Sequence, residues 1–549
     1  MNIVIVAGGL GSRLSPLTDF VPKFLVNIGK NTGYVEMINY WRKQSPNPLN
    51  INFTVIVHGN YENLVREYHN LYFPKVNLTI KTINEASGSA HAILSTCDHL
   101  EGQSVLFSWC DVIPDVPIAI DEMEQQFDRF NVIFTNYNNS NRYGVKRVNA
   151  SWNNVVPYLD ADERGGCFGV YYVYKYHSKV KYDHGQDFID VITQYGNIQE
   201  CRLEKIIDFG DMPKLIRTRA KADEGREFNS IEFNGDLVIK KSLNNQGDAI
   251  IRKEIDWYRQ VAPLNNTGEG LSIPETWIGT DNRSLIMSKV KGIPVWKAWD
   301  KLSSVDRHFV VSQMIEQRRR LFDQTKVSMN YDDIQNDIIA ETSGKLIARY
   351  QEIEGVIKSF GKIRTINGHT LDEVDPIVTI KRLANLMSEY YKENPQPYGI
   401  IHGDLQMSNS MVDLETLKVT IIDPRGKFGN TTCYGLEDYD IAKLMYSLSG
   451  YDLFNYSPTF SIQKLDGFSM GRIWFDIPKP DINGLEDITQ TFKAIHEAWL
   501  AVIWFGLGQY IKNDPVKSLC AHYHGLSRME RACDKIIMIG YNTSADNAL

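Results

Sequence analysis

Residues 2–7, NIVIVA, are apolar without a break from Ile3 to Ala7 and rich in β-branched side chains, and two glycines follow directly. The run is short and lacks polar alternation, so it reads as a strand buried on both faces. Such a strand belongs in a parallel sheet covered by helices. Gly8-Gly9-Leu10-Gly11-Ser12-Arg13 comes next, and its glycines let backbone N–H groups turn inward toward an anion. Pro16-Leu17-Thr18 and Pro22-Lys23 complete the stretch. Arg13 and Lys23 would supply fixed positive charge for phosphate oxygens.

Downstream, strand and helix alternate at short intervals. A helix is expected over 35–43, a strand over 53–58, a helix from 65 to 72 and a third strand over Leu78–Ile83. That alternation implies a mostly parallel α/β sheet, with ligands at the carboxyl ends of its strands. Glu85-Ala86-Ser87-Gly88-Ser89-Ala90 precedes a helix, and the buried strand at 105–111 ends on Asp111. A carboxylate at the mouth of a sheet, facing a triphosphate, is what a Mg²⁺ site needs. Asp208-Phe209-Gly210-Asp211-Met212-Pro213 closes this half.

The glycine loop, Pro-Leu-Thr, Pro-Lys, Gly88, Asp111 and Asp208 in this order resemble the sugar-1-phosphate nucleotidylyltransferases, an NTP-transferase family, over residues 1–220. The resemblance implies a Rossmann-like domain in which Gly8, Gly9 and Gly11 cradle a nucleoside triphosphate, and in which Arg13 and Lys23 are catalytic. It further implies that Gly88 lets base and sugar approach the backbone, and that Asp111 and Asp208 share a Mg²⁺ ion. Two positions depart from the family. Its Glu-Lys-Pro, whose lysine contacts the sugar phosphate, is absent from 156–163, leaving Lys146 as a candidate substitute, and Asp211 stands where the family has threonine.

Bulk properties narrow the rest. A chain of 549 residues exceeds one core, so several domains are expected. With 43% hydrophobic and 23% charged residues, disorder and fibrous structure are excluded. A net charge of −8 offers no basic footprint for nucleic acid. Seven cysteines without any C-x-x-C read as reduced thiols in a cytoplasmic protein. No signal peptide is expected, since the sequence opens on a strand. The apolar run 498–508 is too short to cross a bilayer and reads as a core helix.

The charged stretch 217–226 reads as a linker, giving domains 1–220 and 225–549. Beyond it, strands at 230–233 and 237–241 flank Asn234-Gly235-Asp236, a hairpin signal. Lys240 lies on the second strand, Lys241 faces the other way, and a helix carrying Glu254 follows. Further on come His402-Gly403-Asp404-Leu405-Gln406-Met407-Ser408-Asn409, a strand over 419–422, and Asp423-Pro424-Arg425-Gly426.

The pattern H-G-D-x-x-x-x-N, strand, I-D resembles the aminoglycoside phosphotransferase and choline kinase superfamily. It implies a protein-kinase-like α+β domain with a helical C-terminal lobe. In that reading Lys240 and Glu254 form the ion pair that holds ATP phosphates. Asp404 accepts the substrate hydroxyl proton or orients that hydroxyl, Asn409 and Asp423 hold Mg²⁺, and His402 and Asp440 are structural. Helices over 300–395 and 480–540 would build the acceptor pocket. Trp296, Trp299, Trp474, Trp499 and Trp504 are candidates to line it, and an aromatic cage would suit a quaternary ammonium.

Together the two resemblances imply a bifunctional enzyme using Mg²⁺, ATP and a second NTP. One half would phosphorylate a small hydroxylated substrate, expected to be a sugar. The other would couple the phosphate to a nucleotide with release of pyrophosphate, yielding an NDP-conjugate for surface glycan or capsule synthesis. Two alternatives stay open: a choline or amino-alcohol substrate giving a CDP-choline-like product, or one catalytically dead, regulatory half. The expected partners are small molecules and nucleotides, with no nucleic acid and no membrane insertion; oligomerisation is left open.

Overall fold

A computed structural model describes residues 1–85, 87–120, 123, 130–136, 143–147, 153–157, 166–221, 229–265, 271–279, 283–457, 460–466 and 469–546. The chain divides into two compact units. The first comprises Met1–Asp223, Ile353–Phe360 and Lys512–Val516; the second comprises Glu224–Glu352, Gly361–Ile511 and Lys517–Leu549.

In the first unit, β1 (Asn2–Ala7) lies between two parallel neighbours, β2 (Asn52–His58) and β4 (Val105–Trp109). A third strand, β3 (Leu78–Ile83), adds in parallel to β2. Ile3, Val4 and Ile5 are fully buried, each side chain contributing about 1.5–3 kcal/mol relative to exposure. Helices Gly33–Lys43, Glu62–Tyr72 and Gly88–Thr96 connect these strands. Thr32 caps the first of them, its hydroxyl accepting from the Val35 N–H.

The expected mostly parallel sheet is a mixed one. The further strands are β5 (Val112–Pro114), β6 (Asn131–Asn136), β7 (Tyr143–Arg147), β8 (Asn153–Pro157), β9 (Gly166–Val173) and β10 (Ile198–Arg202). Among the described residues the main sheet runs β3-β2-β1-β4-β9-β6-β10-β8-β7. β9 is antiparallel to both β4 and β6, whereas β6 and β10 are parallel. The reason the sequence misleads is physical. β9 is buried along its whole length, and burial on both faces removes the alternation that marks an antiparallel strand with one wet face.

The presumed linker begins as ordered structure, since 217–221 complete the helix Met212–Lys221, whose Leu215 is fully buried. Residues 222–226 of that stretch lie outside the described residues, as do Ala86, 158–163 of the acceptor stretch and the side chain of Lys146.

The second unit opens with an antiparallel hairpin, β12 (Asn229–Asn234) and β13 (Leu237–Ser242), numbered after β11 (Ile206–Asp208) of the first unit. With β14 (Thr276–Ile278) and β15 (Ser284–Ser288) it makes a sheet ordered β12-β13-β15-β14. The helix Asn245–Asn265 follows the hairpin. The remainder is largely helical, including Ser304–Gln324, Pro376–Glu393, Glu437–Leu448 and Ala494–Tyr510. Its core gathers Trp257, Leu285, Met314, Leu405 and Val419.

The apolar run 498–508 is buried within Ala494–Tyr510. Among the described residues no helix is long and apolar enough to cross a membrane. Three tryptophans read as pocket lining are packing instead. Trp299, Trp499 and Trp504 are buried, and their indole N–H groups are used on Asp481 O, Tyr391 OH and Ser449 Oγ. Trp474 is exposed, and Trp296 stacks on Tyr456 at 4.9 Å.

Candidate active sites

The glycine loop of the first unit leaves the carboxyl end of β1, beside the carboxyl end of β4, because Val6 and Trp109 are paired in register. Gly11 has φ +68°, a backbone that L side chains avoid, and Thr18 Oγ1 donates to its carbonyl at 2.9 Å. Thr18 therefore fixes the loop rather than reaching outward. A Cβ on Gly8 would strike Ile83 Cδ1 at 2.3 Å, whereas one on Gly9 would meet nothing within 4 Å, so Gly9 is the open face of the loop. Arg13 is exposed on the short turn Ser12–Leu14.

Asp111 and Asp208 come together through pairing of short strands. β11 runs antiparallel to β5, setting Asp208 opposite Val112. Phe209 N donates to Asp111 O at 3.1 Å, and Gly210 N donates to Asp208 Oδ1 at 2.9 Å. A Cβ on Gly210 would lie 3.0 Å from Asp111 Oδ2, 3.1 Å from Asp208 Oδ1 and 3.5 Å from Lys23 Nζ. Three sequence-predicted residues thus converge on one point. Lys23, only 7% exposed, donates to Asp111 Oδ2. Burial pushes the Cys110 thiol up to about 12 and Asp111 adds to this, while Lys23 and Arg13 oppose it, so both cations act on this corner.

Two further positions of the pattern make contacts within the chain. Gly88 has φ +89°, and a Cβ there would lie 2.3 Å from Gln186 O; its close approach is to the chain's own backbone. Asp211, in place of threonine, accepts from Lys214 N at 3.0 Å at the start of the helix Met212–Lys221. The sequence reading missed Lys214. Its Nζ lies 2.7 Å from Asp208 Oδ2 and 3.8 Å from Asp211 Oδ2.

In the second unit Lys240 Nζ donates to Glu254 Oε2 at 2.6 Å and to Asp423 Oδ1 at 2.9 Å. Burial opposes charge on Lys240, but Asp423 and Glu254 outweigh it and hold its pKa above the usual lysine value. Asp423 sits at φ +56°, a sparsely populated region for a non-glycine residue. Lys241 points the other way, onto Glu232 at 2.9 Å.

Asp404 Oδ1 accepts from Lys443 Nζ at 2.7 Å, and its Oδ2 accepts from Asn409 Nδ2 at 3.2 Å. Asp404 and Asp423 stand on loops stitched to each other. His402 Nε2 meets Ile422 O at 3.0 Å, Ile422 N donates to Asn409 O at 2.9 Å, and Arg425 N donates to His402 O at 2.9 Å. Burial lowers the His402 pKa to about 4. A neutral ring donating from Nε2 and accepting the Asp404 N–H at Nδ1 satisfies both contacts.

Asp440 accepts the backbone N–H groups of His402 and Gly403, each at 2.7 Å; burial raises its carboxyl to about 6 even so. Arg425 is held by Glu341 and by Tyr439 OH at 2.7 Å. Lys443 was also missed from the sequence, although its spacing from Asp440 marks a shared helix face.

Each unit therefore presents two carboxylates, each paired to a lysine: Asp111 with Lys23 and Asp208 with Lys214 in one, Asp423 with Lys240 and Asp404 with Lys443 in the other. Among the described residues no three His, Cys, Asp or Glu side chains gather at one point. The donor sets fit Mg²⁺, which is commonly bound by one or two carboxylates together with substrate phosphates.

Residues 2–156 match the family model described as Nucleotidyl transferase, so this segment belongs to that family. No curated protein matches the chain. Several solved structures resemble part of it. A putative glucose-1-phosphate thymidylyltransferase from Bacillus anthracis, in complex with sucrose, is 19% identical, covering 41% of this chain and 98% of that one at TM-score 0.36. UDP-glucose pyrophosphorylase complexed with UDP-glucose is 16% identical, covering 40% and 97% at TM-score 0.34. HddC from Yersinia pseudotuberculosis is 19% identical, covering 40% and 98% at TM-score 0.32.

Proposed function

We propose that the chain carries two active sites, one transferring a nucleotidyl group to a phosphorylated sugar or polyol and one making that phosphate from ATP. The observation that carries this reading is the repeated arrangement of two carboxylates with two lysines, once beside a glycine loop and once beside the H-G-D-x-x-x-x-N loop.

In the first unit Gly9 and the loop backbone receive the triphosphate, with Arg13 and Lys23 as its cationic contacts. Asp111 and Asp208 would hold Mg²⁺, as would Asp423 and Asn409 in the second unit; when bound, the ion neutralises charge on the phosphoryl group under attack. An acceptor phosphate oxygen forms a bond to the α-phosphorus, the α–β bridging bond breaks, and pyrophosphate leaves. The acceptor arrives as an anion, so no general base is needed.

In the second unit Lys240, fixed by Glu254, is the cation for the ATP phosphates. Asp404 receives or orients the proton of the acceptor hydroxyl as its oxygen bonds the γ-phosphorus and ADP leaves. Asp440 tethers the backbone just before Asp404, and Lys443 and Asn409 fix its two carboxylate oxygens. The resulting NDP-sugar or NDP-polyol is a donor of the class used for surface glycans.

The test is direct. The full chain is incubated with Mg²⁺, ATP, all four NTPs and a panel of sugars and amino alcohols, and products are identified by mass spectrometry. A nucleotide conjugate of one panel member, with ADP and pyrophosphate, is expected. Conjugates made only from pre-phosphorylated acceptors would remove the kinase half; an amino-alcohol conjugate would change the substrate class.

A further inference from the structure

The attacking group in nucleotidyl transfer is a phosphomonoester dianion that must approach a triphosphate, and two such anions repel each other strongly wherever water is thinned out. A cation has to meet the incoming phosphate. Residues 156–163, where the family pattern places its lysine, contain neither lysine nor arginine. Lys23 is buried against Asp111, and Arg13 stands on the loop that faces the triphosphate.

Lys214 is placed differently. It projects from the first turn of the helix Met212–Lys221, and its side chain is 35% exposed. Its ammonium rests on Asp208 Oδ2 at 2.7 Å, on the carboxylate opposite the one that Lys23 holds. Asp211 accepts from the Lys214 backbone N–H at 3.0 Å, which anchors the base of the side chain, and Asp211 Oδ2 lies 3.8 Å from the ammonium. A divalent cation entering between Asp111 and Asp208 competes with both lysines for carboxylate oxygens. Lys23 has little room to move, whereas Lys214 has a flexible stem and three rotatable donors at the rim of the site.

We infer that Lys214 is the acceptor-binding residue of the first unit, its ammonium passing from Asp208 to the phosphomonoester of the acceptor when the metal and nucleotide are bound. This rests on the nucleotidyl-transfer reading of that unit. The departure from the family pattern is then a relocation: the cation for the acceptor phosphate comes from the helix after Asp208 instead of from the stretch near 156–163.

The experiment is a calorimetric titration of the full chain, saturated with Mg²⁺ and whichever NTP binds, using glucose 1-phosphate, phosphocholine and inorganic phosphate as probes. Wild type, Lys214→Gln and Lys214→Arg are compared. At least one probe should bind wild type, Lys214→Gln should weaken it about tenfold or more, and Lys214→Arg should recover most of the loss. NTP affinity, the control for folding and for the first half of the site, should stay within about twofold in both variants. Equal loss of NTP and probe affinity, undiminished probe binding by Lys214→Gln, or no probe binding to a wild type that does bind NTP would each overturn the assignment. A wild type that binds no NTP would instead remove the reading on which it rests.

Discussion

Lys240 Nζ and Glu254 Oε2 meet at 2.6 Å with both side chains almost wholly shut away from solvent, at 8% and 2% exposure. The pair joins the sheet of the second unit to its first long helix, and the same ammonium reaches Asp423 at 2.9 Å. One lysine thus sets the distance between a strand, a helix and a loop whose aspartate sits in a strained backbone conformation.

Removing that lysine takes the ammonium away from a buried carboxylate. Lys240→Met should destabilise the second unit by about 3–5 kcal/mol and abolish ATP turnover. Denaturant unfolding of variant and wild type, with ADP release measured in parallel, checks both. A stable Lys240→Met protein that still turned over ATP would show that the pair is neither structural nor catalytic.

Gly210 leaves just enough room for the carboxylate pair of the first unit. A methyl there would sit 3.0 Å and 3.1 Å from the oxygens of Asp111 and Asp208, forcing them apart by a few tenths of an ångström. Gly210→Ala should therefore slow nucleotidyl transfer by about 10–100-fold, at a stability cost of no more than about 1–3 kcal/mol. Pyrophosphate release and thermal unfolding of the same preparation separate the two effects.

Stability of the second unit should fall on acidification. Burial lowers the pKa of His402 to about 4 and of His522 to about 3, against about 6.5 when unfolded. Below pH 6.5 the unfolded chain binds more protons at these positions than the folded one, so the stability they contribute above 6.5 is lost as pH drops toward 4. Asp440 and Asp452, raised to about 6 by burial, act in the opposite sense between the ordinary aspartate value and 6. His522, buried and stacked on Tyr350 at 5.2 Å, isolates the effect. His522→Phe should recover about 2–3 kcal/mol relative to wild type between pH 7.5 and pH 4.5. Urea midpoints at the two pH values test this, and parallel pH dependences would contradict it.

Much of both candidate sites' geometry was legible because their loops carry residues whose chemistry is local. Gly11 needs its left-handed backbone, Asp111 follows a buried strand, and Asp404 and Asn409 share one loop with fixed spacing. Partners that meet only through tertiary structure were not legible. Lys214 and Lys443 lie on helices, where a lysine by default reads as solvated surface. Nothing local tells that each reaches back to an aspartate, although Asp440 and Lys443 share a helix face. Gly88 is tight against the backbone O of Gln186, which is distant in sequence and has no local signal. The direction of β9 was hidden for a related reason: a strand buried on both faces carries no periodic mark of its orientation. Trp499 and Trp504 likewise look the same in sequence whether they line a pocket or fill a core.

The proposed division of labour between the two units is tested most directly by assaying the half-reactions separately in Asp404→Ala and Asp111→Ala. With a supplied phosphorylated acceptor and NTP, Asp404→Ala should form the nucleotide conjugate at close to the wild-type rate, while its ATP-dependent phosphorylation falls by about 10³-fold or more. Asp111→Ala should show the reverse. Loss of both half-reactions in either variant, in protein that still unfolds cooperatively, would contradict the assignment of one reaction to each unit.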